Sequence, residues 1–361
     1  MMTALIRFLP LALGLGAAAQ VQKLGVYDYM TEESSPIIFN GALLMLESIP
    51  TSYAGFSPAF ANCSAYLRVR DMRTLRVVVN ISASCGLAFG AAAVVPGARG
   101  APDALLVTAT QWDRRSAGAP APLRAGWSGP CAGASPNCTV HLLFSAARDL
   151  ADGSWQAFSP GIPVPFGVYN TDPMAVPAAA GLPWKWVMAL ETTKETARFL
   201  ASAAADPTAV AAWQLLDESH TVGRFPDVGS CPSLRHDGQF FYYLTGGSNI
   251  QILRSPDLVA WVLAPRSVIE HAAPGDCVVA PPFFGPYAPE GEAAQRLAAC
   301  GAGGNFGDDS DVDLVEWPQP FGAGGGPSVL LEYGSGDQRT FGFSNLAFFN
   351  GSMAAFLQGY F

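Results

Sequence analysis

Residues 249–261 read NIQILRSPDLVAW, a short apolar segment followed by a turn and a tryptophan. In this ending Asp257 is suited to cap a tight turn, Leu258 to remain in the core, and Trp261 to open the next strand over a large apolar area. Such a turn joins two antiparallel strands. Related endings recur along the chain at Asp71, Asp149, Asp206 and, in a degenerate form, Asn350.

Two strand-length segments precede each of these five endings. The middle segments are apolar, bounded by turn residues and too short for isolated helices; they are 41–48, 103–110, 185–192, 238–245 and 328–335. The segments before them are 35–40, 87–95, 172–176, 231–236 and 311–317. Three or four strands repeated five times, with loops of unequal length, predict an all-β fold, a five-bladed β-propeller. A pair of β-sandwiches and a β-helix are the alternatives.

The ends and the composition of the chain indicate one secreted domain. Residues 1–19, MMTALIRFLPLALGLGAAA, have the layout of a secretory signal peptide, with a buried strand or helix as the alternative. Half of the 361 residues are hydrophobic and 14% are charged, which is typical of a packed globular protein. We therefore expect residues 20–361 to form a single propeller domain, and we expect no membrane-spanning segment.

Glycosylation motifs and cysteines agree with an extracellular location. Four Asn-x-Ser/Thr motifs begin at Asn62, Asn80, Asn137 and Asn350. In an oxidising compartment the local cysteine pairs are Cys131–Cys138, Cys277–Cys300 and Cys63–Cys85, which leaves Cys231 over. The cysteines show no Cys-x-x-Cys spacing and the four histidines are scattered, so we predict no metal site and no cofactor.

Charge limits the classes of partner. The formal net charge is −9 and the isoelectric point is near 4.9, so the clustered basic residues that nucleic-acid binding requires are absent from the sequence. We expect neutral ligands and, because the sequence shows neither heptads nor basic arms, a monomer.

In a propeller the first strand of each blade lines the central channel, so polar residues at those strand starts converge. They are Glu32, Glu33, Asn170, Thr171, Asp172, Ser230, Asp309, Asp311 and Asp313. The last three alternate along one potential strand face, where like charges raise one another's pKa. A structural cation in the channel and a solvated strand end are the other interpretations of these acids and are left open.

The motifs at these strand starts resemble those of the five-bladed propeller glycoside hydrolases, which include family 43 arabinanases and xylosidases and family 32 invertases. The resemblance covers about residues 25–361 and is carried by NTDPMAV (170–176) with KWVMALE (185–191), CPSLRHDGQFFYYLTGG (231–247) with the opening stretch, and SDVDLVEW (310–317). It implies hydrolysis of a glycosidic bond by paired carboxylates.

The resemblance also implies roles for individual residues. Asp172 matches an orienting carboxylate that stabilises the transition state, and Glu33 stands where these enzymes place a base or nucleophile. The proton-donating Glu is expected directly before a small residue and a proline, where this chain has Ser230, so the donor would be Asp311, Asp313, Glu191 or Asp227, or it would be absent. The predicted catalytic residues are Glu33, Asp172 and Asp311, and the predicted substrate-binding residues are Asn170, Ser230 and Asp313.

Two functions follow from this set of residues. The first is a secreted glycoside hydrolase that acts on a poly- or oligosaccharide. The alternative is a non-catalytic carbohydrate-binding or structural propeller that has lost its general acid, since a fold does not determine a function.

Overall fold

The computed structural model describes residues 21–29, 31–51, 53–97, 101–111, 138–192, 196–222, 230–247, 249–270, 276, 278–279, 289–301, 309–319, 326–335 and 342–361. The predicted signal peptide, Cys131, Cys277, Asn137 and Asp227 lie outside these residues, as do the side chains of Glu32, Ser230 and Asp309.

Twenty strands form five four-stranded antiparallel sheets. The first strand, β1 (Gln22–Tyr29), belongs to the fifth sheet. Blade one contains β2 (Glu32–Phe39), β3 (Ala42–Pro50), β4 (Ala65–Asp71) and β5 (Arg76–Asn80). Blade two contains β6 (Leu87–Val95), β7 (Ala104–Gln111), β8 (Cys138–Ser145) and β9 (Gln156–Val164). Blade three contains β10 (Val168–Ala175), β11 (Trp186–Thr192), β12 (Ala197–Ser202) and β13 (Trp213–Leu215).

Blade four contains β14 (Ser230–His236), β15 (Phe241–Gly246), β16 (Gln251–Ser255) and β17 (Val262–Leu263). Blade five combines both ends of the described chain: β18 (Asp309–Trp317), β19 (Ser328–Ser335) and β20 (Phe343–Asn350) are followed by β1 as the outermost strand. In this pairing Gln22 lies opposite Phe348 and Tyr29 opposite Phe343. The N-terminal strand therefore completes the ring, and the prediction of an all-β five-bladed propeller is confirmed.

The recurrent turn has the structure that the sequence predicts. Oδ1 of Asp257 accepts hydrogen bonds from the backbone N–H groups of Val259 and Ala260, each at 2.9 Å. Leu258 is fully buried, and Trp261 stacks on Phe199 of blade three with ring centroids 6.0 Å apart. The turn thus covers the apolar layer between two blades.

The innermost strands of the five blades contact one another around the central axis. They are β2, β6, β10, β14 and β18, and each contacts the next. Because all five run in the same sense through their blades, their first residues meet at one end of the channel. This arrangement brings together side chains that are far apart in sequence.

Each innermost strand carries an irregularity in its pairing near its start. In four of them a residue other than glycine takes the left-handed conformation there: Glu33 (φ 27°), Phe89 (φ 55°), Cys231 (φ 53°) and Asp311 (φ 54°). In β18 the shift lies between Ser310 and Asp313. A bulge therefore interrupts the alternation predicted for residues 309, 311 and 313. Val312 and Leu314, which lie between and after these acids, belong to the buried core.

Two α-helices accompany the sheets in the described residues. The first, α1 (Gly291–Gly301), precedes blade five, and the second, α2 (Met353–Gln358), follows it with the Ser352 hydroxyl capping the N–H of Ala355 at 3.2 Å. Among the described residues no helix has the length and apolarity to cross a membrane.

One of the three predicted local disulfides has both of its cysteines among the described residues. The disulfide Cys63–Cys85 is present, as predicted. Cys138 and Cys300 are also disulfide-bonded, while their predicted partners lie outside the described residues. Cys231 is a free thiol.

Candidate active site

A small pocket opens at the end of the channel where the innermost strands begin. All five innermost strands contribute to its wall, so that every blade is represented. The lining residues are Glu33, Ser34, Ser35, Gly90, Ala91, Asn170, Thr171, Cys231, Pro232, Asp311, Val312 and Asp313.

Three reactive side chains from three blades converge in this pocket. A carboxylate oxygen of Glu33, the sulfur of Cys231 and a carboxylate oxygen of Asp311 all lie within 4.8 Å of one another. Burial raises the pKa of the Cys231 thiol, and the charges of Asp311, Glu191 and Glu33 raise it further. In the absence of a cation the thiol therefore remains protonated at neutral pH.

The side chains of Glu33, Cys231 and Asp311 reach the pocket from bulges in their strands. Glu33, Cys231 and Asp311 are the three pocket residues with positive φ among the described residues. A left-handed conformation costs a non-glycine residue about 1–2 kcal/mol, and such strain is concentrated at functional sites. The sequence could not reveal this geometry, because none of the three positions is a glycine or an asparagine.

Glu191 binds two residues of the pocket wall, Asn170 and Cys231. Its Oε2 accepts hydrogen bonds from Nδ2 of Asn170 at 2.9 Å and from the backbone N–H of Cys231 at 3.0 Å. Burial raises the pKa of Glu191 to about 8, although the hydrogen bond from Cys231 opposes the rise. Glu191 does not line the pocket itself. Its contacts orient the Asn170 amide and fix the backbone of the Cys231 bulge.

Asp172 lies behind the pocket wall in a buried ion-pair cluster. Its Oδ2 accepts hydrogen bonds from the backbone N–H of Leu234 and from Nη1 of Arg235, the latter at 3.0 Å. Burial raises the pKa of Asp172 to about 7, and the charge of Arg235 opposes the rise. Asp172 is 2% exposed and is not a lining residue.

Arg235 also binds Asp313, which does line the pocket. One guanidinium nitrogen contacts Asp172 and the other contacts Asp313. Asp313 further accepts hydrogen bonds from the hydroxyls of Ser233, at 2.9 Å, and Ser35. These contacts join blades one, three, four and five around the axis.

The structure thus brings Glu33, Asp311, Asp313 and Asn170 to one pocket and places Asp172 outside its wall. The side chain of Ser230 lies outside the described residues. Two residues of this region were missed by the sequence reasoning, Cys231 and Arg235. Cys231 carried a signal, since it is the odd cysteine and directly follows Ser230, whereas nothing in the sequence marks Arg235 as the partner of two acids.

Comparison with known proteins supports the fold. No protein-family model and no curated protein matches the chain. Among solved structures, a β-fructofuranosidase from Schwanniomyces occidentalis in complex with fructosyl-erythritol is similar at 9% identity and a TM-score of 0.50, covering 93% of this chain and 60% of that one. The catalytic domain of a GH62 α-L-arabinofuranosidase from Coprinopsis cinerea is 9% identical, with a TM-score of 0.49 and coverage of 94% and 100%. A GH43_1 enzyme from Xanthomonas citri is 10% identical, with a TM-score of 0.45 and coverage of 92% and 90%.

The likeness to the fructofuranosidase extends over nearly the whole of this chain, although the chain spans only 60% of that protein. At this level of identity it establishes a common architecture. The chain therefore shares the five-bladed β-propeller fold of the glycoside hydrolases that its strand-start motifs resemble.

Proposed function

We propose that the protein is a glycoside hydrolase that cleaves a poly- or oligosaccharide with Glu33 and Asp311. The observation that carries this proposal is the approach of their carboxylate oxygens to within 4.8 Å in an open pocket. Retaining glycosidases hold their two carboxyl groups about 5–5.5 Å apart, and inverting enzymes about 6.5–9.5 Å apart. The spacing therefore favours retention of configuration at the anomeric carbon.

Glu33 is assigned the role of nucleophile and Asp311 that of acid and base. Asp311 would donate its proton to the glycosidic oxygen while the Glu33 carboxylate bonds to the anomeric carbon and the leaving sugar departs. Asp311 would then take a proton from water, whose oxygen attacks the anomeric carbon and releases Glu33. Two carboxyl groups this close suit the division of roles, because repulsion between two negative charges favours the state in which one holds a proton.

The other candidates for the proton donor are less well placed. Asp313 is held by the guanidinium group of Arg235 and by the hydroxyls of Ser233 and Ser35, so its carboxylate oxygens are already engaged in contacts within the wall. Glu191 is buried beneath Cys231 and Asn170 and is not a lining residue. Asp227 lies outside the described residues. Asp311 is the remaining candidate that lines the pocket beside Glu33.

The pocket wall carries polar groups that suit the hydroxyls of a sugar. It supplies the amide of Asn170 and the carboxylate of Asp313 as hydrogen-bonding groups for these hydroxyls. Ser230 is proposed as a third binding residue on its sequence position alone. A fold shared with a β-fructofuranosidase supports a carbohydrate substrate, and the N-terminal leader motif supports secretion.

A reducing-sugar assay on arabinans, xylans, galactans and fructans tests the proposal. The wild-type chain is expected to release reducing ends from one of these polymers, and Glu33→Gln to lower kcat by about 10²–10⁴-fold. Glu218→Gln is the matched control, because Glu218 is an exposed turn residue that does not line the pocket. Equal turnover by Glu33→Gln and the control would contradict the assignment.

A carbohydrate-binding propeller without activity is the second candidate. It is favoured by the serine at position 230, where the resemblance implies a proton-donating Glu. The same panel separates the two functions: saturable binding of one polymer with no release of reducing ends, in the wild type and in both variants, would support the binding protein.

A further inference from the structure

The cluster of Glu33, Cys231 and Asp311 combines ligand types that hydrolysis does not require. Two carboxylates and one thiol come from blades one, five and four, and their oxygen and sulfur atoms lie within 4.8 Å of one another. The ligands are about 80 and 200 residues apart in sequence, so no motif of short spacing could reveal them. The three side chains come together because the innermost strands of the blades begin at the same end of the channel.

This set matches the coordination chemistry of zinc. Zinc binds Cys sulfur at about 2.3 Å and carboxylate oxygen at about 2.0–2.2 Å, usually in a tetrahedron, which places neighbouring ligand atoms about 3.5 Å apart. Side-chain rotations that move the ligand atoms by roughly 1 Å would bring them from within 4.8 Å to that spacing. Calcium and magnesium prefer oxygen ligands alone, so the thiol selects a softer ion.

Asn170 provides an independent indication of a ligand. It lines the same pocket and is only 5% exposed, and its Oδ1 has no hydrogen-bond partner among the described residues. Its Nδ2 is turned to Glu191 at 2.9 Å, so the amide oxygen points to the opposite side. A buried acceptor of this kind is costly unless a cation or a hydrogen-bond donor occupies the pocket.

The charge of the pocket also favours a cation. Its described lining carries the carboxylates of Glu33, Asp311 and Asp313 and no Lys, Arg or His. The nearby guanidinium of Arg235 lies behind the wall, where it binds Asp172 and Asp313. A concave site with several carboxylates concentrates divalent cations.

We propose that Glu33, Cys231 and Asp311 bind a divalent cation of the zinc class in this pocket, with the fourth coordination position facing Asn170 or water. Bound metal would occupy both carboxylates and exclude a sugar, so the cation acts as a competitive inhibitor. The competition rests on the proposed function, whereas the binding of the metal does not.

Titration of the chelator-treated full-length protein with Zn²⁺ and with Co²⁺ tests the site. Calorimetry is expected to show one tight Zn²⁺ site, and Co²⁺ to produce the charge-transfer absorption of a cobalt–thiolate bond. Cys231→Ser is expected to abolish that absorption and to weaken Zn²⁺ binding by at least about tenfold, and Glu33→Gln to weaken the binding while the absorption remains. The paired surface groups Asp217 and His220, 3.1 Å apart, supply the control for adventitious binding through Asp217→Asn.

The outcomes separate metal binding from hydrolysis. Absence of the cobalt–thiolate absorption in a wild-type protein whose circular dichroism shows a folded sheet would overturn the proposal, as would unchanged Zn²⁺ affinity in Cys231→Ser. Loss of Zn²⁺ binding in Asp217→Asn alone would assign the ion to the surface. If a substrate is found, Zn²⁺ should raise KM without lowering kcat in the wild type. If none is found, the binding results still decide the metal site.

Discussion

Arg235 accounts for the burial of two carboxyl groups. Its guanidinium group binds Asp172 with one nitrogen and Asp313 with another, and Asp172 also accepts the N–H of Leu234. A buried carboxylate is tolerated when it is paired and hydrogen-bonded in this way. The physical role visible for Asp172 is thus to hold blade three against blade four, directly behind the pocket wall.

Replacement of Asp172 should therefore act mainly on stability. Asp172→Asn keeps the shape of the side chain but removes one charge from Arg235, which retains Asp313. We expect the free energy of unfolding, measured by urea denaturation, to fall by about 2 kcal/mol. Unchanged stability combined with a loss of kcat above about 100-fold would instead give Asp172 the catalytic role that the sequence resemblance implies.

Replacement of Asp311 should act on proton transfer. For Asp311→Asn we expect a large fall in kcat/KM with a natural sugar leaving group and a much smaller fall with a nitrophenyl glycoside, because a good leaving group departs without a proton donor. The measurement is the ratio of kcat/KM for the two substrates in the wild type and the variant. An equal fall for both substrates would show that Asp311 does not supply the proton.

At the scale of single elements, the bulges of the innermost strands decide which residues reach the pocket. In a regular strand, Asp311 and Asp313 would have equivalent positions on one face. In β18 the register is shifted between Ser310 and Asp313: Asp311 has a left-handed backbone conformation, and Asp313 forms an ion pair with Arg235. The bulge at Cys231 likewise places this cysteine in the pocket wall. The alternation of apolar and polar residues locates these strands correctly. It cannot predict the bulges, because the residues at the bulged positions are not glycines.

His141 of strand β8 should make the free energy of unfolding depend on pH. His141 is only partly exposed, and burial lowers its pKa from the ordinary 6.5 to about 4. Between these values the unfolded chain takes up a proton that the folded chain does not bind, so the free energy of unfolding falls as pH drops from 6.5 to 4. The loss is at most about 3 kcal/mol.

The variant His141→Gln isolates this contribution. Urea denaturation of the wild type and the variant at pH 7 and at pH 4.5 should show a smaller loss of stability in the variant, because glutamine does not titrate. The same loss in both proteins would contradict burial of a neutral His141.

At the scale of the whole molecule, the ring depends on β1. This strand covers β20, whose residues Phe343 and Leu346 are fully buried. A chain that lacks residues 1–29 should lose the single cooperative unfolding transition and expose apolar surface, because an unpaired strand edge remains. A chain that lacks only residues 1–19 is the matched control and should unfold like the full-length protein. Differential scanning calorimetry distinguishes the two, and a normal transition in the shorter chain would contradict the role of β1.

Much of the architecture is predictable because the five units repeat the same turn chemistry. The segments 87–95 and 328–335 coincide with β6 and β19, and the anchor at Asp257 forms the expected turn. The closing strand was not predictable in this way, since β1 repeats no motif and owes its place to long-range pairing with β20. The same limit applies to Arg235, because its two partners come from other blades.

Mass spectrometry of the protein stopped during turnover tests whether Glu33 forms a covalent bond to the sugar. An activated 2-fluoro analogue of the sugar released in the polymer assay slows the second step and allows the glycosyl-enzyme to accumulate. We expect one glycosyl unit attached to the peptide that contains Glu33, and no such adduct in Glu33→Gln. Turnover of the natural substrate with no adduct on the protein, together with inversion at the anomeric carbon, would contradict a hydrolase that uses Glu33 as its nucleophile and Asp311 as its acid and base.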